Sequence, residues 1–187
     1  MKNIEGAKRK ALLLSLIETM SNKGSWSGET HVQKCVYFLQ TMLRVPLAFD
    51  FILYKHGPFS FDLRDELTAM RADDLLRLEV QSPYGPSFRL TDTGNEMTSL
   101  FPRTIQSHHD RIGFVAGSIS NRTVSDLERL GTALYVTNEP AAKGTPGSVD
   151  SRAERICSLK PHFSLERARE ALQEVDRLTS ESKSLRV

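Results

Sequence analysis

Ser60-Phe-Asp-Leu-Arg-Asp-Glu-Leu-Thr-Ala-Met70, Leu75-Leu-Arg-Leu-Glu-Val80, Ser82-Pro-Tyr-Gly-Pro86 and Phe88-Arg-Leu-Thr91 form the stretch that decides the fold. Ser60 is a capping residue, Asp62 falls in the first turn, and Leu63, Leu67 and Met70 recur at helical spacing, so a helix is expected here. The period then changes. Leu75–Val80 and Phe88–Thr91 read as two strands joined by a Pro- and Gly-rich turn. A helix followed by such a hairpin is the outline of a winged helix-turn-helix.

Working back toward the start, Phe49–Tyr54 reads as a further strand and His56-Gly57-Pro58 as the turn after it. Before these, Val32, Cys35, Val36, Leu39, Met42 and Leu43 lay one apolar stripe along a helix that ends by Pro46. Ser27, with Glu29 shortly after it, is the start signal expected for that helix. An earlier helix carries Ala11, Leu12, Leu14, Leu16 and Ile17.

Working forward, the chain reads as all helical. Thr91 caps a short helix, and Phe101, Ile105, His108, Ile112, Val115 and Ile119 form a seam at spacings of four and three, with Pro102 in a permitted first-turn position. Ser125 and Glu128 fit a capping box. Ser151 with Glu154 and then Ser164 open the last two helices, and Asn138–Val149 is a loop. The expected fold class is therefore α+β, mainly α. A winged-helix-like module of helices plus a small antiparallel sheet spans 1–100, and an all-helical extension over 101–187 packs on it as one unit.

Composition narrows the function classes. The chain has 187 residues, 39% hydrophobic and 26% charged, which is enough to bury a core without disulfides or metal. No apolar run reaches the ~18 residues that a membrane helix needs, and no signal-peptide pattern opens the chain. Cys35 and Cys157 have no CxxC partner and are expected as reduced thiols in a cytoplasmic protein. Net charge is +2, with 12 basic and 12 acidic residues up to Leu100 and 13 and 11 after it. Nucleic-acid binding therefore needs a local patch.

The motifs quoted next resemble a known family. His31-Val-Gln-Lys-Cys-Val-Tyr-Phe-Leu-Gln40 is similar to the (K/H)-x-Q-K-x-x-Y-x-x-Q helix of bacterial YwgA-like proteins, and more loosely to that of the antitoxin group with the Panacea (SocA-like) domain. Tyr54-Lys-His-Gly-Pro-Phe-Ser60 resembles their Y-x-x-G-P-(F/Y)-S turn. Tyr84, Gly85, Phe88, Leu90, Thr91 and Gly94 match their hairpin pattern. Leu127-Glu128 to Tyr135 and Leu159-Lys-Pro-His-Phe-Ser164 resemble the YwgA-like L-E-x-x-x-T-x-x-Y helix and L-K-P-x-(F/Y)-S turn. The resemblance spans roughly Val32 to Leu178. It implies a winged-helix-like fold with a helical extension, in a group of antitoxins, regulators and accessory proteins near toxin or phage-defence genes. It carries no catalytic residue.

DNA reading is the obvious hypothesis for a winged helix, and the helix after Ser60 is poor at it. Phe61–Asp74 holds Asp62, Asp65, Glu66, Asp73 and Asp74 against Arg64 and Arg71, a local charge that phosphates repel. The leading expectation is a non-enzymatic interaction module, antitoxin-like, regulatory or accessory, that contacts another protein through Lys34, Tyr37, Lys55, His56, Phe59, Phe61, Arg64 and Tyr84. Phe59 and Phe61 flank Ser60 and alternate across the helix start, so one can enter the core and both cannot easily do so. A homodimer through the Phe101–Ile119 seam is a further expectation.

The alternative is a DNA-binding transcription regulator using Lys8, Arg9, Lys10, Arg64 and Arg71. Arg103, Arg111 and Arg122 form a second, looser basic group. A third class, a Cys/His-dependent enzyme, rests on His31 and Cys35 at i and i+4. Cys35 lies in the apolar stripe, however, where core packing is the simpler role. Metal binding needs two more ligands than this pair supplies, and neither Gly57 nor Gly85 sits in a phosphate-loop context, so no metal and no cofactor are expected. Gln33, Lys34, Tyr37 and Gln40 form a polar set on one helix. Clamping that helix to the Tyr54–Ser60 turn is their simplest role, with a ligand pocket as the alternative.

Overall fold

The computed structural model describes residues 2–80, 85–139 and 147–185, with side chains from Gly6 onward. The chain opens with α1 (Lys2–Asn22) and α2 (Glu29–Thr41), followed by a small hairpin of β1 (Ile52–Tyr54) and β2 (Gly57–Phe59). Then come α3 (Phe61–Ala72), a second hairpin of β3 (Leu76–Glu79) and β4 (Ser87–Leu90), and α4 (Asp92–Ser99). α5 (Pro102–Ser118), α6 (Val124–Thr137), α7 (Val149–Leu159) and α8 (Leu165–Glu181) complete the fold, with a 3-10 turn at Ser182–Leu185. Each hairpin is a separate two-stranded antiparallel sheet. The class is α+β and mainly α, as the hydrophobic periods imply.

The middle of α1 is apolar all round, and Ala11, Leu12, Leu13, Leu14, Leu16 and Ile17 are all buried, the pattern of a central helix. α5 lies along it, and α4 and β4 also pack on it. In α2, eight consecutive residues from Val32 to Leu39 are buried, because α3, α5, α6 and β2 all pack around it. One hydrophobic core runs from Leu12 through Leu63, Ile112 and Leu134 to Leu178. The two halves of the chain share it.

Several element starts differ from the sequence expectation. Ser60, Thr91 and Ser164 cap α3, α4 and α8 as expected, each accepting a hydrogen bond from a backbone N–H three residues on. The other caps shift upstream. Thr123, not Ser125, caps α6, and Ser148, not Ser151, caps α7. The capping-box pattern misleads at Glu128 because that carboxylate turns inward to a cluster of cations. Ser27 does not cap α2, whose N-cap is Gly28 without a side-chain bond. It is instead buried at positive φ, with its carbonyl accepting from the Phe88 N–H.

The expected single strand Phe49–Tyr54 is shorter and belongs to a hairpin. Gly57, at φ +82°, supplies the left-handed residue that closes the two-residue turn Lys55-His56, so Gly57–Phe59 returns as β2. Most of the turn Ser82–Pro86 and of the loop Asn138–Val149 lies outside the described residues. The seam on α5 is buried at Ile112, Val115 and Ile119 and only partly covered at Phe101, Ile105 and His108.

A candidate interaction site on a clamped hairpin

The β1–β2 hairpin carries a cluster of exposed aromatic side chains. Tyr54 is 52% exposed and Phe61, in the first turn of α3, is 39% exposed, with Phe59 partly exposed between them. Their ring centroids lie 5.8 Å (Tyr54–Phe59), 5.6 Å (Tyr54–Phe61) and 5.1 Å (Phe59–Phe61) apart, in tilted or edge-on contact. The Arg64 guanidinium sits 5.1 Å from the Phe61 centroid, stacked as a cation over the ring. Ile52, also exposed, lies on the same strand as Tyr54, two residues away and so on the same face. Neither Phe59 nor Phe61 enters the core, where the sequence allows room for one of them at most.

The hairpin is held from beneath by buried polar side chains. Gln33 on α2 donates to the Ser60 carbonyl (2.9 Å) and accepts from the Ser60 N–H (3.0 Å). Gln40 makes the same paired contact with Phe49, donating at 2.7 Å and accepting at 2.9 Å. Lys34 Nζ donates to the Pro58 carbonyl at 2.8 Å. A long side chain makes each bond because irregular backbone buried against a helix has no ladder to satisfy it. The clamp to the Tyr54–Ser60 turn therefore holds for Gln33 and Lys34, whereas the half-buried Gln40 ties α2 to Phe49, ahead of the hairpin.

A second anchor comes from the far end of the chain. Lys160, at the end of α7, donates to the carbonyls of Tyr54 (2.8 Å) and Lys55. Its Nζ also lies 3.2 Å from Oε1 of Glu128, a buried carboxylate on α6. His162 Nε2 approaches the same oxygen at 3.4 Å, and His56 Nδ1 approaches Oε2 at 3.5 Å, although both rings are more than half exposed. Oε1 makes no hydrogen bond of good geometry, so its stabilisation is mainly Coulombic. The hairpin packs tightly on α6. A Cβ on Gly131 would lie 3.0 Å from Pro58 Cδ, and one on Gly57 would lie 3.2 Å from the Glu128 carbonyl.

Burial pulls the Lys34 ammonium down to about 8, with Glu128 opposing the shift and Lys160 adding to it. Between pH 8 and the unfolded lysine value near 10.5, the folded state has released a proton that the unfolded state keeps. Stability contributed at this site therefore rises with pH across that window, and below pH 8 the buried charge counts in full against folding. Raised values at Cys35 and Tyr37, both caused by burial, act in the opposite sense at alkaline pH. The difference between wild type and Lys34→Met isolates Lys34. We expect urea unfolding from pH 7.5 to 9.5 to show wild type gaining on the variant by ~2 kcal/mol. A constant difference across that range would show that Lys34 stays protonated.

The expected surface residues fall into two groups. Lys55, His56, Phe59, Phe61 and Arg64 come together on the hairpin and the start of α3. Lys34 and Tyr37 do not belong to that surface. They are 2% and 4% exposed, the first spent on Pro58 and the second packed on Phe38 and Phe51. Tyr84 lies outside the described residues. Tyr54 and Ile52 were missed by the sequence reading. The alternation of a strand places them outward, but only the hairpin pairing shows that nothing covers that face.

The basic residues of the DNA-binding alternative are largely paired with α3. Arg9 bridges to Glu66 and Lys10 to Asp73, both at 2.7 Å, and Arg64 pairs with Asp65 at 3.0 Å. Lys8 and Arg71 are exposed. His31 Nε2 donates to the Arg122 carbonyl (3.1 Å), and burial holds its imidazole below the ordinary value. Cys35 is fully buried and its thiol is pushed up, which is the reverse of an activated nucleophile. Both cysteines are free, and among the described residues no cluster of His, Cys, Asp or Glu has the arrangement to hold a metal ion. No helix among the described residues is long and apolar enough to cross a membrane. Compared with known proteins, the chain matches no family model and no curated protein sequence.

Proposed function

We propose that this chain is a non-enzymatic interaction module, docking another protein through the aromatic cluster of Tyr54, Phe59 and Phe61 with Arg64 at its edge. The observation that carries this reading is that three contacting aromatic rings, two exposed and one partly so, stand on and beside a hairpin fixed by the buried side chains of Gln33, Lys34 and Lys160. Rigid aromatic and arginine anchors lose little entropy on binding and are the residues on which interfaces concentrate energy. The register adds a further feature. Leu53 faces Pro58, which has no N–H, so the N–H and C=O of Leu53 point to the outer edge of β1. An open edge beside aromatic anchors suits an extended segment of a partner.

The kind of partner rests on the resemblance to YwgA-like and Panacea-type proteins. It supports a cytoplasmic antitoxin-like, regulatory or accessory role beside a toxin or defence component. The order of α1, α2, α3 and the β3–β4 hairpin is in keeping with the winged-helix-like part of that reading. The transcription-regulator alternative draws less support, because the acids of α3 already neutralise Arg9 and Lys10.

The test is quantitative binding to the protein products of the genes that neighbour this one. Phe61→Ala and Tyr54→Ala should each weaken binding at least about tenfold while leaving the melting curve nearly unchanged, since both rings are largely exposed. Unchanged affinity in both variants would rule the cluster out as the docking surface. Self-association abolished by the same variants would reassign it to a homodimer.

A further inference from the structure

Away from the hairpin, the fold brings together two basic groups that lie far apart in the sequence. The start of α1, the loop at 44–48 and the first two turns of α5 enclose a groove. Its polar lining includes Lys8, Arg9, Thr104, Arg103, Ser107 and His108, with no carboxylate among the described lining residues. Leu12 and Leu47 add apolar surface. Arg9 is already committed, bonded to Glu66 and stacked 4.8 Å from the Phe49 ring centroid. Lys8 and Arg103 make no ion pair among the described residues. Two unpaired cations facing one concavity repel each other, and an anion between them turns that cost into a gain.

The start of α5 adds donors to the same groove. Its N-cap, Phe101, offers no side-chain bond, and Pro102 occupies the first turn. The N–H groups of Arg103 and Thr104 are thus left without an intrahelical acceptor, beside the Thr104 hydroxyl. His108 also lines the groove, and its enclosed Nδ1 has no hydrogen-bond partner among the described residues.

We propose that this groove binds a small phosphate-bearing molecule, gripped by Lys8 and Arg103 and bonded at the N-terminus of α5. A phosphate group suits the site because it carries close to two charges and at least three acceptor oxygens, matching two cations and several converging donors. A small ligand fits better than a nucleic-acid backbone, which needs a track of phosphate contacts. On the α3 side of the groove that track stops at once, because Arg9 and Lys10 are paired with Glu66 and Asp73.

Calorimetric titration of the full chain with inorganic pyrophosphate tests the site. Saturable binding is expected, weakened at least about tenfold by Lys8→Met and by Arg103→Gln and unchanged by the distant Arg77→Gln. Circular-dichroism melts of the variants, expected to match wild type because both side chains are exposed, show whether a loss of binding is a loss of fold. Amide shifts on titration should centre on Arg103 and Thr104. No saturable binding, or variants that bind like wild type, would overturn the proposal. So would duplex DNA that displaces pyrophosphate with a steep salt dependence, which would assign the groove to a polyanion.

Discussion

Lys160→Met should cost about 3–5 kcal/mol of folding stability, the largest effect expected of any single surface-proximal substitution in this chain. The ammonium satisfies two backbone carbonyls, those of Tyr54 and Lys55, and stands 3.2 Å from the buried Glu128 carboxylate. Methionine fills the same space but donates nothing. The turn of the hairpin then keeps two under-satisfied carbonyls, and Glu128 loses its closest cation while remaining enclosed. His56 and His162 supply weak replacement, being more than half exposed and screened by water. Leaving one member of a buried pair behind is worse than removing both. The double variant Lys160→Met with Glu128→Gln should therefore recover a substantial part of the loss. Urea denaturation of wild type, the single variant and the double variant measures this directly. A single variant within about 1 kcal/mol of wild type, or a double variant no better than the single, would mean that water replaces Lys160 and that the cluster is not a clamp. If the clamp is real, partner binding through Tyr54 should fall along with stability, since the carbonyl that Lys160 holds belongs to that residue.

Much of the architecture was legible because hydrophobic period is a local signal. The stripe from Val32 to Leu43, the cap at Ser60 and the alternation after Leu75 each report one element from a few adjacent residues. The residues that carry the resemblance to YwgA-like proteins are also instructive. Gln33, Lys34 and Gln40 on α2, Gly57 and Pro58 in the hairpin, Glu128 and Thr132 on α6, and Lys160 after α7 are scattered over some 130 positions, yet nearly all meet around one hairpin. Gln40 is the exception within that set, reaching Phe49 just before β1. That convergence was not legible. A buried lysine such as Lys34 reads in sequence like any surface lysine, because only the tertiary fold decides whether the Pro58 carbonyl or water accepts its hydrogen bond. The same limit misplaced Glu128 as a capping residue and hid the pairing of Arg9 and Lys10 with α3. The exposed cluster was half legible. Phe59 and Phe61 stood out for flanking a cap, whereas Tyr54 looked like an ordinary strand aromatic until β2 folded back against β1.

Gln33→Leu is the second substitution expected to have a large effect, about 2 kcal/mol, and it separates the clamp from the cap at the same place. Gln33 is fully buried and uses both ends of its amide on Ser60, accepting from the N–H and donating to the C=O. Leucine has nearly the same volume, so packing around α2 changes little. What is lost is the Gln33 oxygen that the buried Ser60 N–H donates to, a donor that costs roughly 1–3 kcal/mol when left unsatisfied, and one of two partners of the Ser60 C=O, which still accepts from the Arg64 N–H. Ser60→Ala probes the other bond at this residue, the cap to the Leu63 N–H, and should cost only about 1 kcal/mol because the Gln33 amide still holds the backbone. The expected order is therefore Gln33→Leu well below Ser60→Ala, with wild type highest, in urea midpoint. Hydrogen exchange at the Ser60 amide adds a local readout, since protection there depends on Gln33 and not on a strand ladder. An inverted order, with Ser60→Ala the more damaging, would mean that α3 is started by its cap alone. The expected order instead makes α2 the element that sets where α3 begins. Because Phe61 is the first residue of α3 and Phe59 the last of β2, that would make one buried amide responsible for the spacing of the two rings that anchor the proposed interface.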